Sequence, residues 1–255
     1  MTATRCLRLA NRLAIVPGIS LVLMFAAAPA HADADDAWTR AIARRDVAAV
    51  ARLAEQSADI NRATEDGRTA LMLAASERHG PLVHALLARG ADVNAANTRG
   101  GTALMSAAAA GDHDVVALLI ARGAVVNARA SNGWTALALA ATGGHEAAVR
   151  VLLRHNADPN LADIYGWTAL MRAVEQGRAN AVRLLLDSRR AQINARDEHG
   201  DTALHHAAAL GSLEIARLLI DHGADSQARD RAGRTPAMVA AAQGHVELAR
   251  KLGSE

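Results

Sequence analysis

The sequence predicts an all-α solenoid of helix-turn-helix units joined by extended finger loops. Three observations carry this. A Gly-x-Thr turn, followed mostly by Ala-Leu, recurs with threonines at Thr69, Thr102, Thr135, Thr168, Thr202 and Thr235, at steps of 33, 33, 33, 34 and 33 residues. A fixed period of this length marks a stacked repeat. Within each period, two apolar runs at helical spacing are separated by a short break, so one unit holds two helices. A lone unit of this length also falls below the roughly 40 residues at which an unstapled chain folds by itself, so each unit must bury its apolar face on its neighbours.

Residues 1–32 read as a separate segment. Arg5, Arg8 and Arg12 give a positive start, Leu13 to Ala28 is apolar apart from Ser20 and the Pro17-Gly18 break, and Ala30-His31-Ala32 has the small-x-small form of a cleavage site. The expectation is a secretory signal peptide removed after Ala32. An uncleaved anchor is the competing reading, opposed by an apolar run shorter than the roughly 20 residues that span a bilayer. Cys6 precedes the apolar stretch, where no lipid-modified cysteine is expected.

Removing the segment changes the charge argument. The chain has 28 Lys+Arg and 26 Asp+Glu, but three arginines and no acids lie in residues 1–32, leaving 25 against 26, a net of −1. Neither a basic excess nor a basic stripe remains, which argues against a nucleic-acid partner. Cys6 is the only cysteine, so the processed chain forms no disulfide. Lys251 is the only lysine beside many arginines, and alanine is abundant, as in GC-rich bacterial coding; with the signal segment, this makes the periplasm the expected location. After cleavage no membrane attachment is expected, and the chain is read as a monomer.

The repeat is clearest between Asn132 and Asn160. Thr135 N-caps a first helix beginning near Ala136, which buries Leu137, Ala140 and Ala141 and ends at Gly143-Gly144. A second helix carries His145 to His155 with Val149, Leu152 and Leu153 as its buried stripe. Other units close this helix with a glycine, as at Gly90, Gly123 and Gly223; Asn156 stands there in this unit and tolerates the same left-handed conformation. An extended finger, Ala157 to Leu161, leads to the turn at Tyr165-Gly166.

These residues closely resemble the ankyrin repeat, with its turn, two antiparallel helices and the motif Thr-Pro-Leu-His-x-Ala. Thr235-Pro236 keeps the proline and Thr202-Ala203-Leu204-His205 keeps the histidine, while Met72, Met105, Ala138 and Met171 stand where the histidine would be. The closing Leu-Leu-x-x-Gly-Ala-Asp-x-Asn is nearly intact from Leu86 to Asn94. The division expected is a degenerate N-terminal capping unit at 33–63, repeats at 64–96, 97–129, 130–162, 163–196 and 197–229, and a C-terminal capping repeat at 230–255. In the first, Asp33, Asp35 and Asp36 suit a helix N-terminus; in the last, Arg250 and Lys251 fit a polar cap. Arg78 replaces the inter-helix glycine and is expected to distort that turn. The 34-residue step, at Leu186 to Ala191, predicts a locally irregular loop.

Catalytic and metal readings find little support. Gly-x-Ser-x-Gly, a glycine-rich phosphate loop and HExxH are missing from the sequence. Equivalent positions in successive repeats lie about one helix spacing apart, roughly 10 Å, and cannot share a metal whose ligands sit near 2 Å. Met72, Met105, Met171 and Met238 therefore read as a packed line. His79, His145 and His245 take the family's inter-helix place and His205 its first-helix place, all scaffold positions. His205-His206 with His199 upstream is the one local cluster. The assignment is no metal, no cofactor and no enzyme.

The resemblance implies a protein partner held along the finger tips and first-helix face. The positions flanking the turn glycines there include Arg99, Trp134, Ile164, Tyr165, Trp167, His199 and Asp201, among them three of the four aromatics beyond the signal segment. Trp134, Tyr165 and Trp167 are the expected centre of a partner site, flanked by Thr142, Glu175 and Gln176, because aromatic rings bury much area with little rotamer loss. The same rings could instead only pack finger against finger. The function expected is a non-catalytic, exported protein-binding module. The alternatives are an accessory factor for a periplasmic enzyme, in peroxide defence or cofactor acquisition, and a toxin-immunity protein.

Overall fold

The computed structural model describes residues 30–56 and 59–253. Most of the expected signal segment lies outside them, and the expected cleavage after Ala32 falls within the first helix, Ala30–Ala43.

Fourteen helices among the described residues form seven antiparallel pairs in two layers. The inner layer is α1 (Ala30–Ala43), α3 (Ala70–Ser76), α5 (Ala103–Ala110), α7 (Ala136–Gly143), α9 (Ala169–Glu175), α11 (Ala203–Leu210) and α13 (Pro236–Ala242). The outer layer is α2 (Val47–Ala54), α4 (Gly80–Ala88), α6 (His113–Ala121), α8 (Glu146–Arg154), α10 (Ala179–Asp187), α12 (Leu213–Asp221) and α14 (Val246–Gly253). From α3 to α13 each inner helix packs on the next, and outer helices α4 to α12 do likewise. No helix among the described residues is long and apolar enough to cross a membrane.

Sequence chemistry accounts for the layers. The inner helices meet through alanines that are fully buried, such as Ala107, Ala108, Ala140 and Ala141, whose small side chains allow close approach. The outer helices supply the bulk: Val83, Leu86, Val116, Leu119, Val149, Leu152, Val182, Leu185 and Leu219 are all fully buried. Leu153 is only half-buried, and Ala148 completes the α8 stripe. Each threonine of the motif sits at the N-cap of its inner helix, and the hydroxyls of Thr69, Thr102, Thr135, Thr168 and Thr235 accept the backbone N–H three residues on, as Thr135 does from Ala138 at 3.2 Å, while the Thr202 hydroxyl pairs with the His205 ring.

Two expectations need correction. Arg78 does not distort its turn: it takes the left-handed conformation (φ 57°), and the closing His79 N–H to Ala74 bond stays at 2.9 Å. The strain sits in one residue because the surrounding bonds fix the turn. Met238 is 52 % exposed, unlike buried Met72, Met105 and Met171, because among the described residues no further inner helix packs on α13 beyond α11.

The irregularity at the 34-residue step is confined to Ser188–Ala191. Elsewhere an outer helix closes with a bond such as Ala157 N–H to Leu152, 2.9 Å; here the Ser188 hydroxyl donates to Leu185 O instead, at 2.6 Å. Beyond it the register is recovered through an asparagine ladder. Asn61, Asn94, Asn127, Asn160 and Asn194 each donate to a carbonyl and accept an N–H in the next unit. At the insertion Asn160 bonds Arg190 O at 2.9 Å and Gln192 N–H at 2.7 Å. The fingers are tied tip to tip by backbone bonds: Ser131 N–H to Arg99 O, Ile164 to Asn132, Glu198 to Tyr165 and Arg231 to His199, at 2.9–3.1 Å. Gly133 makes that approach possible, since a Cβ there would lie 2.7 Å from Asp163 Cα.

Candidate binding face

The finger turns of the fourth, fifth and sixth motif-bearing pairs are built around one carboxylate each. Asp163, Asp197 and Asp230 have side chains no more than 4 % exposed. In all three, Oδ1 accepts the backbone N–H groups two and four residues on, at 2.8–3.0 Å. Oδ2 is left for a side chain, and the units differ in which one they offer.

In the fourth unit the partner is Arg172, on the fourth residue of α9, which binds Asp163 through Nε at 3.2 Å and through Nη2, and reaches Glu175 through Nη1 at 3.3 Å. Its guanidinium carbon lies 4.8 Å from the Trp134 ring centroid and 4.4 Å from that of Trp167. The two half-buried indoles thus clamp a cation whose charge is answered by a buried carboxylate. The stack continues into the fifth unit, where the His206 ring lies 4.2 Å from Trp167, inclined by 40°. His206 Nε2–H donates to Asp197 Oδ2 at 3.0 Å. Burial holds the His206 pKa below its ordinary value of 6.5, against the pull of Asp197, Asp201 and Glu175. In the sixth unit Arg234 Nε donates to Asp230 Oδ2 at 2.6 Å. Burial alone would raise the Asp230 pKa, but the Arg234 backbone N–H and guanidinium outweigh it and hold the group below 3.8.

The structure therefore brings Trp134, Trp167 and Glu175 together through Arg172. Ile164 and Tyr165 stand at the tip of the same finger, 60 % and 50 % exposed. Gln176, also exposed, follows the last residue of α9. The Thr142 hydroxyl turns back to Ala138 O at 2.8 Å. His199 and Asp201 lie in the fifth finger beside Asp197. Arg99 is exposed on the second motif-bearing finger, two fingers from Tyr165.

Sequence reasoning missed Arg172, Asp163 and Asp197. The available signal was positional: Arg172 is the one guanidinium in a place that holds Leu73, Ser106, Leu139, His206 and Val239 in the other units. The histidine cluster also resolves. His205 is buried, its Nδ1 accepting the Thr202 N–H at 3.2 Å and its Nε2 meeting Arg234 O at 3.1 Å, which makes it a cap inside the stack. His145 and His245 bridge to Ala109 O and Ala209 O of the preceding unit, and His79 Nδ1 caps α4, so these scaffold assignments hold.

The family model described as ankyrin repeats (3 copies) matches residues 20–97, 38–130, 104–197 and 189–255. The chain belongs to the ankyrin-repeat family. Ankyrin repeats generally mediate protein–protein interaction and typically act as non-catalytic modules.

Proposed function

We propose that this ankyrin-repeat protein is an exported, non-catalytic module that holds a protein partner on its finger and inner-helix face, centred on the fourth finger. The carrying observation is the exposed Ile164–Tyr165 pair on a finger fixed from both sides. Ile164 N–H bonds Asn132 O, Tyr165 O accepts Glu198 N–H, and the Trp134–Arg172–Trp167 stack lies at its base. Apolar and aromatic anchors on a preorganised base bind with little ordering loss. Export to the periplasm rests on the sequence of residues 1–32 and predicts a purified chain whose first residue is Asp33.

The test is capture from the organism's own periplasm with the wild-type chain, followed by affinity measurement on the captured partner. An Ile164→Ser/Tyr165→Ser variant should bind roughly tenfold more weakly or worse, while an outer-helix variant, Arg150→Ala/Arg183→Ala, should bind as wild type. Equal binding by a folded tip variant refutes the site. An unassembled enzyme as the partner would mean an accessory role, and a toxin blocked at its active surface would mean immunity.

A further inference from the structure

We infer that the fifth finger holds a divalent transition-metal ion, with Asp197 Oδ2, His199 and Asp201 Oδ1 as its protein ligands. The argument starts from the comparison of units. Where the fourth and sixth units answer the buried turn carboxylate with a guanidinium, Arg172 or Arg234, the fifth has His206 in the place of Arg172 and Asp201 in the place of Arg234. The two carboxylates of this finger thus lack an arginine in either place. The guanidinium groups around it hydrogen-bond elsewhere: Arg196 Nη1 on Gly200 O, at 2.9 Å, and on Arg229 O, and Arg234 Nε on Asp230, so that Arg234 acts on Asp201 through its charge and without a hydrogen bond.

A second observation is independent of that charge count. Asp201 Oδ1 is shut off from water and makes no hydrogen bond among the described residues. Asp201 as a whole is only partly buried, but a carboxylate oxygen held in that way is unfavourable unless a donor or a cation reaches it. Imidazole separates this finger from a purely acidic cluster. One ligand atom each from Asp197, His199 and Asp201 lie within 4.8 Å of one another, close to the separation of at most about 4.4 Å that bonds of about 2.0–2.2 Å to one ion allow, and His199 is the exposed member of the three.

The remaining bonds prepare these ligands. Asp197 Oδ1 is held by the N–H groups of His199 and Asp201 at 2.8 and 2.9 Å, and Oδ2, which accepts one bond from His206 Nε2, keeps a lone pair. The finger backbone is pinned on both sides through Glu198 N–H to Tyr165 O and Arg231 N–H to His199 O. Two carboxylate oxygens with one imidazole suit zinc or a neighbouring ion. They do not suit calcium, which takes six to eight oxygens. Three protein ligands leave a fourth position for water.

The experiment is calorimetric titration of the purified, chelator-treated full chain with Zn²⁺ alone, with Ca²⁺ as a separate arm. One Zn²⁺ per chain should bind and Ca²⁺ should not. His199→Gln and Asp201→Asn, both in the finger and outside the helices, should each weaken Zn²⁺ at least about tenfold, given that loss of an outer-shell partner alone weakens metal sites 10–100-fold. His155→Ala, an exposed histidine elsewhere, should leave it unchanged, and far-ultraviolet circular dichroism should show every variant folded. Absence of stoichiometric uptake, or uptake equal in the His199 and Asp201 variants, overturns the inference. No partner protein enters the measurement, so its failure would leave the proposed function standing.

Discussion

The fourth and fifth units share a backbone plan and differ in how they treat the same carboxylate. Asp163 is closed off by Arg172, itself enclosed between Trp134 and Trp167, so the fourth finger's buried carboxylate is answered internally while the apolar tip, Ile164 and Tyr165, faces outward. Asp197, beyond its two backbone donors, meets the imidazole of His206 in place of a guanidinium, and Oδ1 of its neighbour Asp201 makes no hydrogen bond among the described residues. The repeat thus fixes where a side chain sits, while its identity decides whether that place contributes rigidity or recognition. A repeat scaffold varies the second without disturbing the first because each unit contacts only its neighbours.

The largest test of this contrast removes the closing groups one at a time. Arg172→Ala leaves the buried Asp163 carboxylate with its two backbone donors but no counter-charge, unclamps both indoles, and should lower stability by about 3 kcal/mol, the range for breaking a buried ion pair from one side. His206→Ala removes one bond to a carboxylate that keeps its two backbone donors, and should cost about 1 kcal/mol. Urea unfolding followed by tryptophan fluorescence reads both, with the emission of Trp134 and Trp167 shifting in the Arg172 variant at zero denaturant. Equal losses would mean that the fourth unit is no more closed than the fifth.

The sixth unit extends the comparison through pH. Asp230 has its folded pKa held below 3.8, chiefly by the Arg234 backbone N–H and guanidinium acting against burial. A depressed carboxylate stabilises the fold at all pH values above its unfolded pKa, and that contribution disappears as pH falls through the lower folded value. Hydrogen exchange in α13 and α14 should therefore accelerate as pH is taken from 5 to below about 3.8, after correction for the intrinsic rate. Asp230→Asn should be looser at pH 5 already and show less further change. If the acid response is the same in that variant, the Asp230–Arg234 pair is not its source.

The sequence made the repeat readable because its determinants are local. A threonine three residues before the N–H it caps, a glycine or asparagine at a left-handed position and an alanine-rich face are all visible within one unit. The aromatic clamp was half visible: Trp134 and Trp167 stood out as residues, but their enclosed cation comes from α9, five residues after Trp167 and a whole unit after Trp134, and only the stacking distance brings the three together. Asp197 was hidden for another reason. It belongs to the turn that every carboxylate-bearing finger shares, and its distinction lies in what the neighbouring places lack. Met238 shows the converse error, since its place in the repeat pointed to packing while its position at the end of the stack left it exposed.

The smallest effect concerns the scaffold common to both units. The fourth and fifth turn between their helices on Gly177 (φ 65°) and Gly211 (φ 75°), whereas the first motif-bearing unit and the pair before it use Arg78 (φ 57°) and Arg45 (φ 58°). A left-handed non-glycine residue carries roughly 1–2 kcal/mol of strain, and glycine returns roughly 0.5–1 kcal/mol of that through its greater freedom when unfolded. Arg78→Gly should thus stabilise by about 0.5 kcal/mol, read as a small rise in the urea midpoint at unchanged slope. Arg45 makes a poorer test because its guanidinium also binds Glu77, so its replacement would mix relief of strain with loss of an exposed ion pair. If Arg78→Gly instead destabilises, the arginine side chain contributes to the turn, and the N-terminal units are held by contacts that the fourth and fifth do not need.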